Sequence, residues 1–261
     1  MIFSKYNYKL GVTLSGGGAK GFAHIGAIKA LNEKGYFPEI ISGTSAGSII
    51  GALYCDGYTP DEIVDIFSDK SFTSLAEFTM ARGGFMTFNG LKRFLEKYLK
   101  ARAFEDLRMP LVVCATDFDH AESIFFRSGP LIDVICASSS IPMIFQPVKI
   151  HNINYVDGGV LCNLPVRPIR EECKSVFGIN VTASLTEEYK NNLFGILERS
   201  FLMMLKANTI PDKELCDLYI ETAEGKFNNI FNLEYLNELV QLGYHSTLSE
   251  LLKHQQKEKP L

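Results

Sequence analysis

Short apolar runs closed by glycine alternate along the chain with longer stretches in which apolar residues recur every three positions or so. The first run, Lys9 to Leu14, predicts a buried strand that feeds straight into Gly16-Gly17-Gly18. Phe22, Ile25, Ile28 and Leu31 then recur at intervals of three, Lys29, Glu33 and Lys34 mark a wetter side, and Gly35 supplies a stop, which together predict a helix. Glu39 to Ser42 predicts a second strand, and GTSAGSIIGALYCDGY after it a glycine-flanked turn into a second apolar helix. The order β-α-β-turn-α predicts a parallel, doubly wound sheet.

The same patterns predict strands at Pro110 to Asp117, Glu122 to Arg127, Lys149 to Val156, Ser175 to Thr182 and Asp217 to Glu221, buried on both faces. Helices are predicted at Pro60 to Phe67, Gly90 to Lys100, Leu131 to Ser139, Leu193 to Ala207 and Leu233 to Leu252. There is no internal repeat and no low-complexity linker, and 261 residues suffice to bury one large core. A single domain over 1–261 is expected, with a motif-bearing core at about 9–168 and the segment 169–261 packed on it. Ser71 to Asn89 is irregular yet carries Phe72, Phe78, Met80, Phe85, Met86 and Phe88, and reads either as satellite core under a loop or as a greasy rim over a site. Leu193, Ile196, Leu197, Phe201, Met204 and Leu205 form one apolar side of a helix, which suits core packing and would also suit a membrane surface.

Net charge narrows the partners. With 26 Lys plus Arg against 30 Asp plus Glu and no basic run, nucleic acid is not an expected ligand. The first ten residues hold no secretory h-region, and no stretch reaches the ~18 apolar residues of a span, so the expectation is a cytoplasmic chain. Contact with a lipid surface would then be peripheral, through Phe78, Met80, Phe85 and Met86. The six cysteines form no C-x-x-C pair and predict buried, reduced thiols with no metal site.

Three glycines between a strand and a helix suit a dinucleotide's pyrophosphate, a nucleotide's β-phosphate or the oxyanion of an acyl-transfer intermediate. Gly16-x-Gly18-x-x-Gly21 satisfies the dinucleotide fingerprint, but the second strand ends in Ser42-Gly43-Thr44-Ser45 rather than in a ribose-binding acid, and no P-loop sequence exists. What stands there is Gly43-x-Ser45-x-Gly47, the pattern of a nucleophile elbow. On adjacent parallel strands the glycine loop and Ser45 would lie side by side at the carboxyl edge of the sheet. The serine then needs a base. His24, His120, His151, His245 and His254 have no motif around them, His245 being the best placed, whereas Asp157 sits at a strand end before Gly158-Gly159 in NINYVDGGVLCNLP.

GGGAKG (Gly16 to Gly21), GTSAG (Gly43 to Gly47) and DGG (Asp157 to Gly159), together with ASSSIPMIFQPV (Ala137 to Val148), resemble the patatin-like phospholipase family over about Lys9 to Pro168. The resemblance implies a three-layer α/β/α sandwich with a mainly parallel central sheet and metal-independent, cofactor-free hydrolysis of acyl esters in phospholipids and related glycerolipids. It implies a dyad of nucleophile Ser45 and base Asp157, an oxyanion hole at Gly16, Gly17 and Gly18, and a basic residue at Lys20. Two other readings remain beside it: an α/β-hydrolase triad of Ser45, a downstream acid and His245, and a phosphate-binding regulatory module without hydrolysis.

Overall fold

The computed structural model describes residues 5–69, 89–142, 144–182, 189, 191–222 and 235–258. Its strands are β1 (Tyr8–Leu14), β2 (Ile40–Thr44), β3 (Leu111–Asp117), β4 (Glu122–Phe126), β5 (Val148–Ile150), β6 (Ile153–Asp157), β7 (Cys173–Asn180) and β8 (Leu218–Glu221). The helices are α1 (Phe22–Glu33), α2 (Ala46–Cys55), α3 (Pro60–Ser68), α4 (Asn89–Tyr98), α5 (Leu131–Ser138), the short α6 (Arg167–Arg170), α7 (Leu193–Lys213) and α8 (Leu236–Glu258). The strands form one sheet in which hydrogen-bonded neighbours run β5-β6-β3-β2-β1-β7-β8, with β4 also paired to β3. β1, β2, β3, β7 and β8 are mutually parallel, and β4, β5 and β6 join antiparallel.

Strand alternation divides the core in two. Leu10, Val12 and Leu14 of β1, Val113 and Ala115 of β3, and Phe177 and Ile179 of β7 face a large cluster shared with α1, α2, α3, α4, α5 and α8. Ile40, Val112 and Val176 point the other way, onto Leu164, Val166 and Ile169 around α6. The result is a three-layer α/β/α sandwich with a mainly parallel sheet, thick on one side and thin on the other.

Several boundaries differ from the sequence pattern. Lys149 to Val156 is a hairpin rather than one strand, because His151 (φ 46°) and Asn152 (φ 68°) both adopt left-handed backbone, the geometry of a tight two-residue turn. β4 is partly exposed along its length and not buried on both faces, since it lies outside the parallel core. α7 runs past Ala207 to Lys213 with Pro211 in its last turns, and α8 begins at Leu236 and continues to Glu258. α4 spans Asn89–Tyr98, and α6 has no counterpart among the expected elements. The apolar residues at 72, 78, 80, 85, 86 and 88 lie outside the described residues.

α8 packs on α1 at a glycine crossing. A Cβ on Gly26 would lie 1.8 Å from the Val240 carbonyl oxygen, and one on Gly243 would lie 1.9 Å from that of Ala23. Neither is the end of a flexible side chain, so a methyl group there must push the helices apart. Gly35 ends α1 at φ +80° with open space where a Cβ would stand. We therefore expect Gly26→Ala and Gly243→Ala each to cost at least about 3 kcal/mol in urea unfolding, the upper range for overpacking, and Gly35→Ala only about 1 kcal/mol from its left-handed backbone. Equal losses at the three positions would contradict the crossing.

Candidate active site

Pairing along β3 decides where the chemistry gathers. Val113 and Cys114 pair with β2 on one edge and β4 on the other, while Ala115 to Asp117 pair with β4 and β6. β6 must therefore occupy the edge that β2 uses. β2 reaches its last rung at Thr44 opposite Cys114, and β6 arrives head-on with Asp157 opposite Ala115. Ser45 follows Thr44 immediately, so the serine and the aspartate emerge at neighbouring rungs of one edge. One strand further over, Leu14 pairs with Gly43, which brings the glycine loop after β1 alongside the turn after β2.

The turn is an elbow that only small neighbours permit. Ser45 takes φ 51°, a left-handed conformation that costs a non-glycine residue of the order of 1–3 kcal/mol. A Cβ on Gly43 would fall 2.6 Å from the Gly47 carbonyl oxygen, and one on Gly47 would fall 2.3 Å from that of Leu14. Gly21 would likewise meet the Ala46 methyl at 2.5 Å, so the starts of α1 and α2 press together. Behind Asp157, Gly158 passes over β3 where a Cβ would lie 2.4 Å from the Cys114 carbonyl oxygen.

The segment after α5 fixes both side chains at once. The Ser45 N–H donates to Ser138 Oγ (2.8 Å), whose hydroxyl donates in turn to the Cys114 carbonyl (2.6 Å). Two residues on, the Ser140 carbonyl accepts the Asp157 N–H (2.8 Å). Thr44 Oγ1 donates to the Cys162 carbonyl (3.0 Å) and Thr116 Oγ1 to the Asp157 carbonyl (3.0 Å). Opposite them, the fully buried Asn163 accepts the Gly16 N–H on Oδ1 (3.1 Å) and donates through Nδ2 to Thr182 (2.8 Å) and Thr209 (3.1 Å). Ser138, Ser140 and Asn163 were missed as site residues; a polar side chain inside the apolar run VLCNLPV was the available signal for Asn163.

Gly16, Gly17, Gly18, Ser45 and Asp157 line one cavity with Ile141, Phe201, Leu202 and Leu205, the last three from α7. Its free space is about 10 Å³, barely room for one water molecule. The Gly16 N–H is taken by Asn163, whereas those of Gly17 and Gly18 have no partner among the described residues. Lys20 lies half-buried in the single 3₁₀ turn from Gly18 to Gly21, and Gly159 donates its N–H to Asp157 Oδ1 (2.7 Å). Asp157 Oδ2 is buried without a hydrogen-bond partner among the described residues. Burial pushes the Asp157 carboxyl up to about 7, against the opposing pull of the nearby Ser45 hydroxyl and the Gly159 N–H. Ser45 is thus close enough to act on the carboxylate's charge but rests outside hydrogen-bond geometry with Oδ2.

No histidine lines this cavity. His24 is buried in α1 and donates Nε2–H to the Ser15 carbonyl (2.8 Å), bracing the entry to the glycine loop; burial depresses it to about 4, so it is neutral at pH 7. His120 pairs with Asp117, His151 forms the hairpin turn, and His245 is exposed on α8. His254 lies against Phe177. Among the described residues no His, Cys, Asp or Glu cluster has metal-holding geometry, and no helix is long and apolar enough to cross a membrane.

The family model described as patatin-like phospholipase matches residues 12–170. An uncharacterized NTE family protein of Mycobacterium tuberculosis is 31% identical over 164 residues, which is 62% of this chain and 45% of that protein. Lysophospholipase NTE1 of Saccharomyces cerevisiae is 28% identical over 199 residues, 71% of this chain and 12% of the yeast protein. The chain spans less than half the length of these relatives. Among solved structures, VipD from Legionella pneumophila shares the fold with a TM-score of 0.55 at 17% identity, over 95% of this chain and 67% of VipD.

The raised Asp157 carboxyl has a consequence for stability. Between its unfolded pKa near 4 and its folded value of about 7, the native state binds more protons than the unfolded one, so stability falls as pH rises through that window. At about 1.4 kcal/mol per pKa unit, we expect Asp157→Asn to melt several degrees above the parent at pH 8 and close to it at pH 4.5. A melting difference independent of pH would show that the carboxylate is not ionising in a buried setting.

Proposed function

This chain belongs to the patatin-like phospholipase family, and from that premise we propose that it hydrolyses acyl esters of phospholipids or related glycerolipids through Ser45 and Asp157. The observation that carries the reading is the buried, unpartnered Asp157 Oδ2 beside a serine held on a positive-φ elbow in the same cavity. Ser45 Oγ attacks the acyl carbonyl carbon while Asp157 accepts its proton. The Gly17 and Gly18 N–H groups, at the start of the turn that leads into α1, receive the developing oxyanion, and one such donor contributes ~3 kcal/mol to the transition state. Gly16 acts instead through its bond to Asn163, which holds the loop. Asp157 then returns the proton to the departing alkoxide, and in the second half it takes a proton from the water that cleaves the acyl-serine and passes it to the leaving Ser45 Oγ.

A carboxyl of ordinary acidity would accept a hydroxyl proton poorly, and burial moves Asp157 toward the working range. The apolar side chains of Ile141, Phe201, Leu202 and Leu205 suit an acyl chain rather than a sugar or phosphate. The cavity has room for barely one water, so an acyl chain enters only as its lining side chains move aside.

On a soluble short-chain ester, Ser45→Ala and Asp157→Asn should each lower kcat/KM by about 10³-fold or more, as loss of one member of a nucleophile–base pair does. His245→Ala should stay within about twofold of the parent and EDTA should leave the rate unchanged, both effects being too small to register as a lost catalytic group. A fluorophosphonate probe should label Ser45, and an unlabelled serine with no ester hydrolysis would favour a phosphate-binding module. The pH profile of kcat/KM supplies an independent check: activity needs ionised Asp157, so the profile should rise through an apparent pKa of about 7. A flat profile from pH 5 to 8 would remove Asp157 from the role of base.

A further inference from the structure

We propose that the outward face of α7 docks onto an anionic lipid surface. The proposal rests on the lipid-hydrolase reading for its substrate, but its geometry stands apart from the catalytic groups. α7 has two working sides. Phe201, Leu202 and Leu205 turn inward and line the cavity. On the opposite side Ile196, Met203 and Ile210, spaced seven residues apart, are 45%, 55% and 61% exposed. Leu193 and Met204 extend this apolar surface.

Beside the stripe runs a second row with the same spacing: Arg199, Lys206 and Lys213. Three residues separate each member of one row from its neighbour in the other, about 60° around the helix. Lys206 and Lys213 are exposed and Arg199 half-buried, its guanidinium lying over the ring of the exposed Tyr189 (5.9 Å). The one acidic residue from Arg199 to Lys213 is Asp212, which is buried and held by a bidentate pair with Arg167 (3.0 and 3.1 Å). A chain of net charge −4 thus presents, on the helix that covers its candidate site, an apolar stripe edged by cations.

Cations beside exposed aliphatic side chains, with a tyrosine at the margin, are the chemistry of a helix lying in the headgroup region of an anionic membrane. Docked there, α7 would set Ser45 about one helix diameter, ~10 Å, from the lipid. The same helix is anchored unevenly. Its second half is tied down by Asn208 on the Gly159 carbonyl (2.7 Å), by Thr209 on Asn163 and by Asp212 on Arg167, whereas Phe201 and Leu205 in the middle pack in a small apolar cluster.

Vesicle flotation in a Ser45→Ala background separates binding from turnover. The protein should float with vesicles of mixed phosphatidylglycerol and phosphatidylcholine at least about tenfold better than with phosphatidylcholine alone, since each surface cation contributes about a factor of five. An Ile196→Ser, Met203→Ser, Ile210→Ser variant should lose about tenfold or more in vesicle binding, and Lys206→Glu, Lys213→Glu should abolish the preference for the anionic vesicles. With Ser45 intact, both variants should melt as the parent does and hydrolyse a soluble short-chain ester within about twofold of it. Should the triple variant melt early, the charge variant carries the test. Unchanged flotation of both variants, no flotation of the parent, or a dimer in light scattering that the serine substitutions dissociate would overturn the proposal, the last by assigning the face to a second copy of the chain. Loss of flotation in a protein whose parent hydrolyses no ester would uphold the docking face and reject the hydrolase reading.

Discussion

β2 and β6 approach each other head-on along one edge of β3 and stop at adjacent rungs, Thr44 against Cys114 and Asp157 against Ala115. This shared edge is the constraint on which the site depends. Neither strand can lengthen by a residue without displacing the other, so the serine and the aspartate are held by backbone pairing rather than by side-chain reach. The chain leaves each strand through a turn that tolerates no added carbon at Gly43, Gly47 or Gly158. Rigid elements position a pair of reacting groups better than loops do, and here the sheet ladder itself supplies the rigidity.

Around that junction most of the polar groups that fix the two side chains are paired. Ser138 and Ser140 bind the backbones of Ser45 and Asp157, Asn163 holds the glycine loop, and Gly159 caps one carboxylate oxygen. Asp157 Oδ2 is left without a hydrogen-bond partner among the described residues, as is Ser139 Oγ in the segment after α5. A buried acceptor without a donor is costly, and the cost here appears as a carboxyl displaced toward neutrality. The fold tolerates that cost because the large cluster on the thick face of the sheet, running from α1 to α8, contributes its stability elsewhere.

Much of this was legible in the chain. Gly16 to Gly18, Gly43, Ser45, Gly47, Asp157 and Gly158 stand out because close backbone approach selects glycine and because a polar residue at the end of an apolar strand is conspicuous. The parallel core strands were legible for a related reason: burial on both faces leaves unbroken apolar runs. Ser138, Ser140 and Asn163 were not singled out, since their partners lie far away in sequence, 93 residues for Ser138 with Ser45 and 147 for Asn163 with Gly16. The hairpin inside Lys149 to Val156 was missed because His151 and Asn152 lack the glycine that usually betrays left-handed backbone. α7 exceeded its expected length because a proline in the last turns removes only one donor from a helix that other bonds already secure.

The place of β1 in the sheet has a kinetic side. β1 pairs early with β2, but its other edge waits for β7, whose register begins with Tyr8 against Cys173. During synthesis at ordinary rates that edge stays bare for roughly 10–30 s, with the glycine loop behind it equally unformed. A newly made chain therefore passes through a stage in which one edge of an interior strand is an open template for neighbouring polypeptides, until Cys173 to Asn180 arrives to cover it.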